Sequence, residues 1–327
     1  MIIDFHNHFY PPEYLRALQI GPSNIKVTFD DQNNPLLHYP GDYNIVVPGH
    51  RDIVFRKTVL EKAGVDKQVL TLTTPGTHIE TPVRAVALAR LVNESFAHIA
   101  AEHGDRFTPL GTWPLNDPLA SVKELERASL ESGFKGFQIF SNVNGVALDD
   151  QRFWPLYEQA AELKTIFIIH PTYPIGVEAM TDYWLMPLLG FTFDTTLAAA
   201  RLVFSGLAAR FPEIRWVLPH AGGTIPYLAE RLDRGYHAFK ECRANISRPP
   251  SVYLKNFYYD TVNFDPKALR LLIDFAGADH VLAGSDYPHQ IGSLEKMRTS
   301  IAQLDLTAEA KADILGGNAR RLLGMEA

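Results

Sequence analysis

A parallel (β/α)8 TIM barrel with an insertion after its first strand follows from three features of the sequence. Eight short β-branched or aromatic runs occupy residues 1–8, 68–73, 107–113, 136–140, 165–170, 214–220, 257–262 and 281–285. Longer stretches of helical period separate them, the order that parallel strands with crossover helices require. Reactive side chains gather where the runs end, the face on which such barrels carry their chemistry. With 46% hydrophobic residues in 327, the chain has the apolar content for one barrel domain over 1–327.

The first run, Ile3-Asp4-Phe5-His6-Asn7-His8, alternates as a strand should. Residues 10–50 fit neither period. Pro11, Pro12, Pro22, Pro35, Pro40 and Pro48, with the turn signal Gln32-Asn33-Asn34, predict an insertion carrying a small hairpin that lies as a lid over one barrel end. Leu88, Val92, Phe96 and Ile99 keep one apolar stripe at helical spacing and predict a helix packed on the barrel. Asp117-Pro118 and Asp265-Pro266 each set a capping side chain before a proline whose missing N–H costs nothing at a helix start. Asp194 is expected to cap a further helix over 195–209, stopped by Phe211-Pro212.

Composition excludes several classes. The formal charge of −6 comes from 37 acidic and 31 basic residues with no basic stripe, so nucleic acid and anionic membrane surfaces are not expected partners. The single cysteine, Cys242, excludes an intrachain disulfide framework and a thiolate-cluster metal site. No apolar run reaches the roughly 18 residues of a membrane span, and Met1-Ile2-Ile3-Asp4 does not start a signal peptide. A cytoplasmic protein is expected.

The run ends are informative. The first ends in His6-Asn7-His8, the fifth in His170-Pro171, the sixth in His220-Ala221-Gly222-Gly223 and the eighth in Ser285-Asp286-Tyr287-Pro288. Residues two apart on a strand face the same side, so His6 and His8 can meet one ion, with His170, His220 and Asp286 at neighbouring strand ends. Imidazole and carboxylate donors suit zinc, with manganese and iron as alternatives. The fourth run ends Gln138-Ile139-Phe140-Ser141 and offers no lysine or glutamate to bridge two ions, so one divalent ion per chain is expected. Phe9, Trp113, Phe140, Tyr173 and Trp184 stand near the run ends and can wall a pocket for a planar acid. Asn142 and Asn144 read either as substrate contacts or as turn formers, and Asp4 either as support for the histidines or as a barrel-floor contact. Of the other histidines, only His78 and His289 lie near this face.

These segments, together with Gly111-Thr112-Trp113-Pro114, Gly133-Phe134-Lys135-Gly136, Tyr183-Trp184-Leu185, Tyr259-Asp260-Thr261 and Gly317-Asn318-Ala319, resemble the amidohydrolase superfamily. The resemblance is to its subgroup of 2-amino-3-carboxymuconate-6-semialdehyde decarboxylase-like non-oxidative decarboxylases. It implies that His6, His8, His170 and Asp286 bind the ion and that His220 is a general acid/base acting with Asp286. Spacing alone does not tell His170 from His220 as the ligand. The resemblance also implies that Arg231 is offered to the substrate carboxylate from a neighbouring subunit, hence a homodimer; of the aromatic residues near the run ends, Trp184, Phe140 and Trp113 are the ones expected to meet substrate. Asn44 stands about where a second carboxylate-binding arginine is expected, with Arg51 or Arg56 as substitutes, and His289 stands in place of an aromatic residue.

The ion in such a site can activate water or polarise a substrate oxygen, so both decarboxylation and hydrolysis are open to it. The resemblance favours a metal-dependent, non-oxidative decarboxylase of a small aromatic or unsaturated carboxylic acid. A hydrolase of an amide, lactone or C–C bond on the same site is the alternative.

Overall fold

The structure, a computed structural model, describes residues 1–40, 42–174 and 176–325. Ile3–His8 pairs in parallel with Lys67–Thr71, and a five-stranded parallel sheet runs in the order Val281–Leu282, Tyr258–Asp260, Arg215–Leu218, Ile166–His170, Gly136–Phe140. Residues 107–111 join the two on one side, with Thr108 N donating to Gln68 O, Leu70 N to Thr108 O and Gln138 N to Gly111 O. On the other side Phe5 N donates to Ala283 O at 2.7 Å and Ser285 N to His6 O at 3.1 Å. Backbone hydrogen bonds therefore run round all eight expected positions. The third of them differs from expectation in carrying only the isolated bridges Gln68↔Phe107 and Gly111↔Phe137. Pro109 lies inside that run and has no N–H to add to a ladder.

The insertion holds a helix at Pro12–Gln19, three antiparallel strands at Lys26–Phe29, Pro35–Tyr39 and Asp42–Ile45, and a short helix at Pro48–Arg51. The expected hairpin is thus a meander of three strands. It is tied to the second barrel strand's loop by Tyr10, whose hydroxyl donates to Thr74 O, and by Asn44 Nδ2, which donates to the same carbonyl at 2.6 Å. Leu18, Leu37 and Val46 of the insertion share one hydrophobic cluster with Leu70, Phe137 and Ile169 of the barrel strands. A second cluster joins Ile3, Val69, Ile168, Val217 and Leu282 to Leu322 and Leu323 of the last helix, Asn318–Leu323.

Leu88, Val92 and Phe96 are buried on the helix Pro82–His103. Asp117 and Asp265 accept from Ala120 N and Lys267 N at the starts of Pro118–Glu131 and Pro266–Ala276. Asp194 departs from its expected role. The helix runs Phe191–Phe204, Asp194 lies inside it, and its carboxylate points inward to accept from Ser141 Oγ and, at 3.0 Å, from Asn142 Nδ2. A one-turn π segment at Met186–Gly190 leads directly into this helix, so no free turn is left for Asp194 to cap. Gly206, at φ 83°, then separates it from the short helix Leu207–Arg210.

Candidate metal centre

The first strand supplies His6 and His8, and a register shift between Asp4 and Asn7 interrupts its pairing at that point. Bulges of this kind re-aim side chains at barrel rims. The eighth strand approaches closely because Gly284 lacks a side chain, since a Cβ there would stand 2.9 Å from that of His6 and 3.0 Å from that of Asp260. Two residues on, Asp286 takes a left-handed φ of 57°, a conformation rare away from glycine and frequent at functional sites.

Three donor atoms meet there. His6 Nε2 lies 3.2 Å from His8 Nε2, His8 Nε2 lies 3.0 Å from Asp286 Oδ1, and His6 Nε2 lies 3.5 Å from that same oxygen. Two donors about 2.1 Å from one ion are about 3.0 Å apart at a right angle and about 3.4 Å apart at the tetrahedral angle. The donor set therefore fits a single divalent ion. One donor atom from each of His6, His170, His220 and Asp286 also falls within 4.8 Å of the others. The imidazole of His170 lies 4.7 Å from that of His8 between ring centres.

Protein contacts fix the tautomers. His6 Nδ1 lies 2.5 Å from Asp260 Oδ2, and His170 Nδ1 lies 2.8 Å from Pro171 O, each an acceptor. Thr71 Oγ1 donates to Asn7 O at 2.8 Å and so receives a proton from His8 Nδ1 at 3.2 Å. Each of these three imidazoles donates through Nδ1 and presents an Nε2 lone pair, the arrangement of metal-binding histidines. Among the described residues His220 Nδ1 has no partner, and the ring is not fixed in this way. His220 opens a run of left-handed residues through Gly223, with Ala221 N held by Asp260 Oδ1 at 3.0 Å.

Burial is the largest single influence on the electrostatics of all four imidazoles. Burial, and then His170, hold His8 well below the usual imidazole range, while burial, then His6 and His220, do the same for His170. Burial also lowers His220, followed by His6 and opposed by Asp286 and Asp260. Burial acts the same way on His6, but the carboxylates of Asp260, Asp286 and Asp4 together outweigh it and raise that imidazole.

The remaining expected residues separate. Phe140 is buried against His78 and stands edge-on to His170, 6.3 Å between ring centres. Trp184 is half exposed and meets Tyr43 of the insertion edge-on at 5.6 Å. Trp113, against expectation, is buried between Phe137 and Phe167 with its Nε1 donating to Gln138 O, and serves packing. Phe9 likewise lies buried beside Arg56. Asn142 and Asn144 form the turn, accepting from Gly145 N and donating to His78 O respectively. Asp4 is a barrel-floor clasp, accepting from Gln68 Nε2, Ser285 N and Ser285 Oγ, and burial pushes its carboxyl up to about 6. Arg56 is no substitute for a substrate-binding arginine, because Gly49 O, Asn7 Oδ1 and His8 O occupy its guanidinium. Arg51 reaches Asn34 at 3.4 Å, and Arg231 is exposed on the helix Ile225–Ala238. Two residues gain importance beyond the sequence reading. Asp260 sits in a motif without a role attached to it, and His50 is buried beside His289, which itself stands 4.8 Å from His8.

The chain belongs to the amidohydrolase family, whose model matches residues 3–325. It is 33% identical over 269 residues to the 2-amino-3-carboxymuconate-6-semialdehyde decarboxylase of Dictyostelium discoideum, covering 82% of this chain and 75% of that one. It is 27% identical over 326 residues to the 6-methylsalicylic acid decarboxylase of Penicillium expansum, covering 98% and 95%. Among solved structures, the 5-carboxyvanillate decarboxylase of Sphingomonas paucimobilis matches with a TM-score of 0.85 at 26% identity, covering 99% of each chain.

Proposed function

We propose that this enzyme is a metal-dependent, non-oxidative decarboxylase of a small aromatic or unsaturated carboxylic acid, with His6, His8, His170 and Asp286 as ligands and His220 as the proton carrier. One observation carries the division of roles: three imidazoles have an Nδ1 acceptor and His220 has none. The three relatives reported above, all named decarboxylases of unsaturated or aromatic acids, support the reaction class.

When bound, the ion supplies Lewis-acid polarisation of a substrate oxygen. The chain's own residues do the rest. His220 delivers a proton to the carbon bearing the carboxylate. The bond to the carboxylate then breaks, its electron pair returns to the substrate, and CO2 leaves. His220 regains its proton from solvent. An imidazole is suited to this because its ordinary pKa lies close to neutral pH. Phe140 and Trp184 flank the substrate. Arg231 of a second copy meets the carboxylate, and the exposed stripe Leu189, Phe193 and Leu197, spaced four apart, is the face on which that copy seats. Zinc as the resident ion, a homodimer and a cytoplasmic setting with Cys242 reduced complete the reading.

The test is CO2 release from metal-replete protein offered a panel of hydroxybenzoic and muconate-type acids, without a redox cofactor. Release of CO2 with retention of the ring or diene is expected. Hydrolysis of esters, lactones or amides with no CO2 from any acid contradicts the proposal.

A further inference from the structure

One buried carboxylate touches both halves of the proposed machinery. Asp260 closes the seventh strand, is wholly buried, and divides its two oxygens between different tasks. Oδ2 lies 2.5 Å from His6 Nδ1. Oδ1 accepts from Ala221 N at 3.0 Å and from Val262 N at 2.9 Å. Ala221 belongs to the left-handed run that begins at His220, with φ values of 55°, 55°, 75° and 61° through Gly223. Four consecutive residues at positive φ, two of them not glycine, cost energy, and persist only where neighbours over-determine them. The Ala221 N–H to Asp260 bond is one such constraint, and it acts one residue from the imidazole that moves the proton.

We propose that Asp260 is a positioning residue that sets both centres at once. Its Oδ2 keeps the His6 proton on Nδ1 and leaves the Nε2 lone pair for the ion, while its Oδ1 holds the turn that aims His220. The inference rests on the reading of His6 as a ligand and adds a link between ligand and proton carrier through a single side chain.

Two substitutions separate the two tasks. In Asp260→Asn the amide oxygen stays on the Ala221 and Val262 N–H groups, so the turn is kept. The amide NH2 then faces His6 Nδ1 and donates to it, which moves the imidazole proton to Nε2 and blocks that atom as a ligand. Asp260→Ala removes both functions. Competition with a chromogenic chelator measures the dissociation constant for Zn2+, and kcat and KM are then taken at saturating Zn2+. Both variants are expected to bind Zn2+ about 10- to 100-fold more weakly than the parent protein, the effect typical of losing a partner of a ligating histidine. At saturating Zn2+, Asp260→Ala is expected to lose further kcat relative to Asp260→Asn, with KM little changed, because only the alanine releases the His220 turn. The Co2+-loaded protein provides a readout independent of turnover, since its visible absorption band shifts in Asp260→Asn if the His6 ligation changes. A merely structural role lowers the thermal midpoint of the metal-free variants equally and leaves Zn2+ affinity within twofold of the parent, and that result overturns the inference. Failure of the parent protein itself to bind Zn2+, Mn2+ or Co2+ overturns the ligand reading beneath it.

Discussion

His8 Nε2 and Asp286 Oδ1, from residues at opposite ends of the chain, stand 3.0 Å apart. The His8 proton is engaged on Thr71 through Nδ1, and the imidazole is held neutral by burial and by His170. Two electron-rich atoms facing each other in a buried site call for a cation between them. Loading with a divalent ion is therefore expected to stabilise the fold, by about 2.7 kcal/mol when the free ion is a hundredfold above its dissociation constant. Thermal midpoints with and without a chelator check this, and equal midpoints contradict it.

His6 leads to a pH dependence. The carboxylates of Asp260, Asp286 and Asp4 outweigh burial and raise its imidazole above the ordinary value, so protons and the ion compete for its Nε2. Affinity is expected to fall as pH falls, since more His6 is protonated, and binding is expected to release protons. Calorimetry in buffers of different ionisation enthalpy reads this directly. Binding heats that do not depend on the buffer exclude it.

Arg56 joins the site's segments from beneath. Its guanidinium donates to Asn7 Oδ1 at 2.9 Å, His8 O at 2.5 Å and Gly49 O at 3.0 Å, and lies between the rings of Phe9 and Tyr287. Arg56→Met keeps volume but strips buried acceptors of their donors, which costs on the order of 1–3 kcal/mol for each one left unsatisfied. Denaturant unfolding of the metal-free protein should show a loss of about 3 kcal/mol or more. A change below about 0.5 kcal/mol, typical of an exposed site, contradicts this account of Arg56.

Leu189, Phe193 and Leu197 form an exposed apolar stripe. Phe193→Asp is expected to shift the mass in solution from two chains to one, and to raise KM for the acid as Arg231 of the second copy is lost. Light scattering with steady-state kinetics tests both parts. A parent protein that is already one chain removes the cross-subunit role.

Much of the site was legible because its residues sit where strands end. His6, His8, His170, His220 and Asp286 are brought together by barrel geometry alone, and spacing plus the order of the runs carries that much. What was not legible depends on long-range hydrogen bonds. Asp260 meets His6 across 254 residues, and no local pattern distinguishes it from other strand-end aspartates. Asp194 illustrates the converse error, since a capping residue before an Ala- and Leu-rich stretch is good local evidence. Here the π segment at Met186–Gly190 continues the helix past it, and tertiary bonds to Ser141 and Asn142 claim its carboxylate. Trp113 shows that proximity to a strand end does not fix which way a side chain turns.

The most direct test compares His170→Ala with His220→Ala by elemental analysis of the purified, metal-replete proteins together with their rates of CO2 release. His170→Ala is expected to lose the ion, whereas His220→Ala is expected to keep about one ion per chain and to lose about 100- to 10,000-fold in rate. Loss of the ion from His220→Ala, with retention in His170→Ala, contradicts this division of roles.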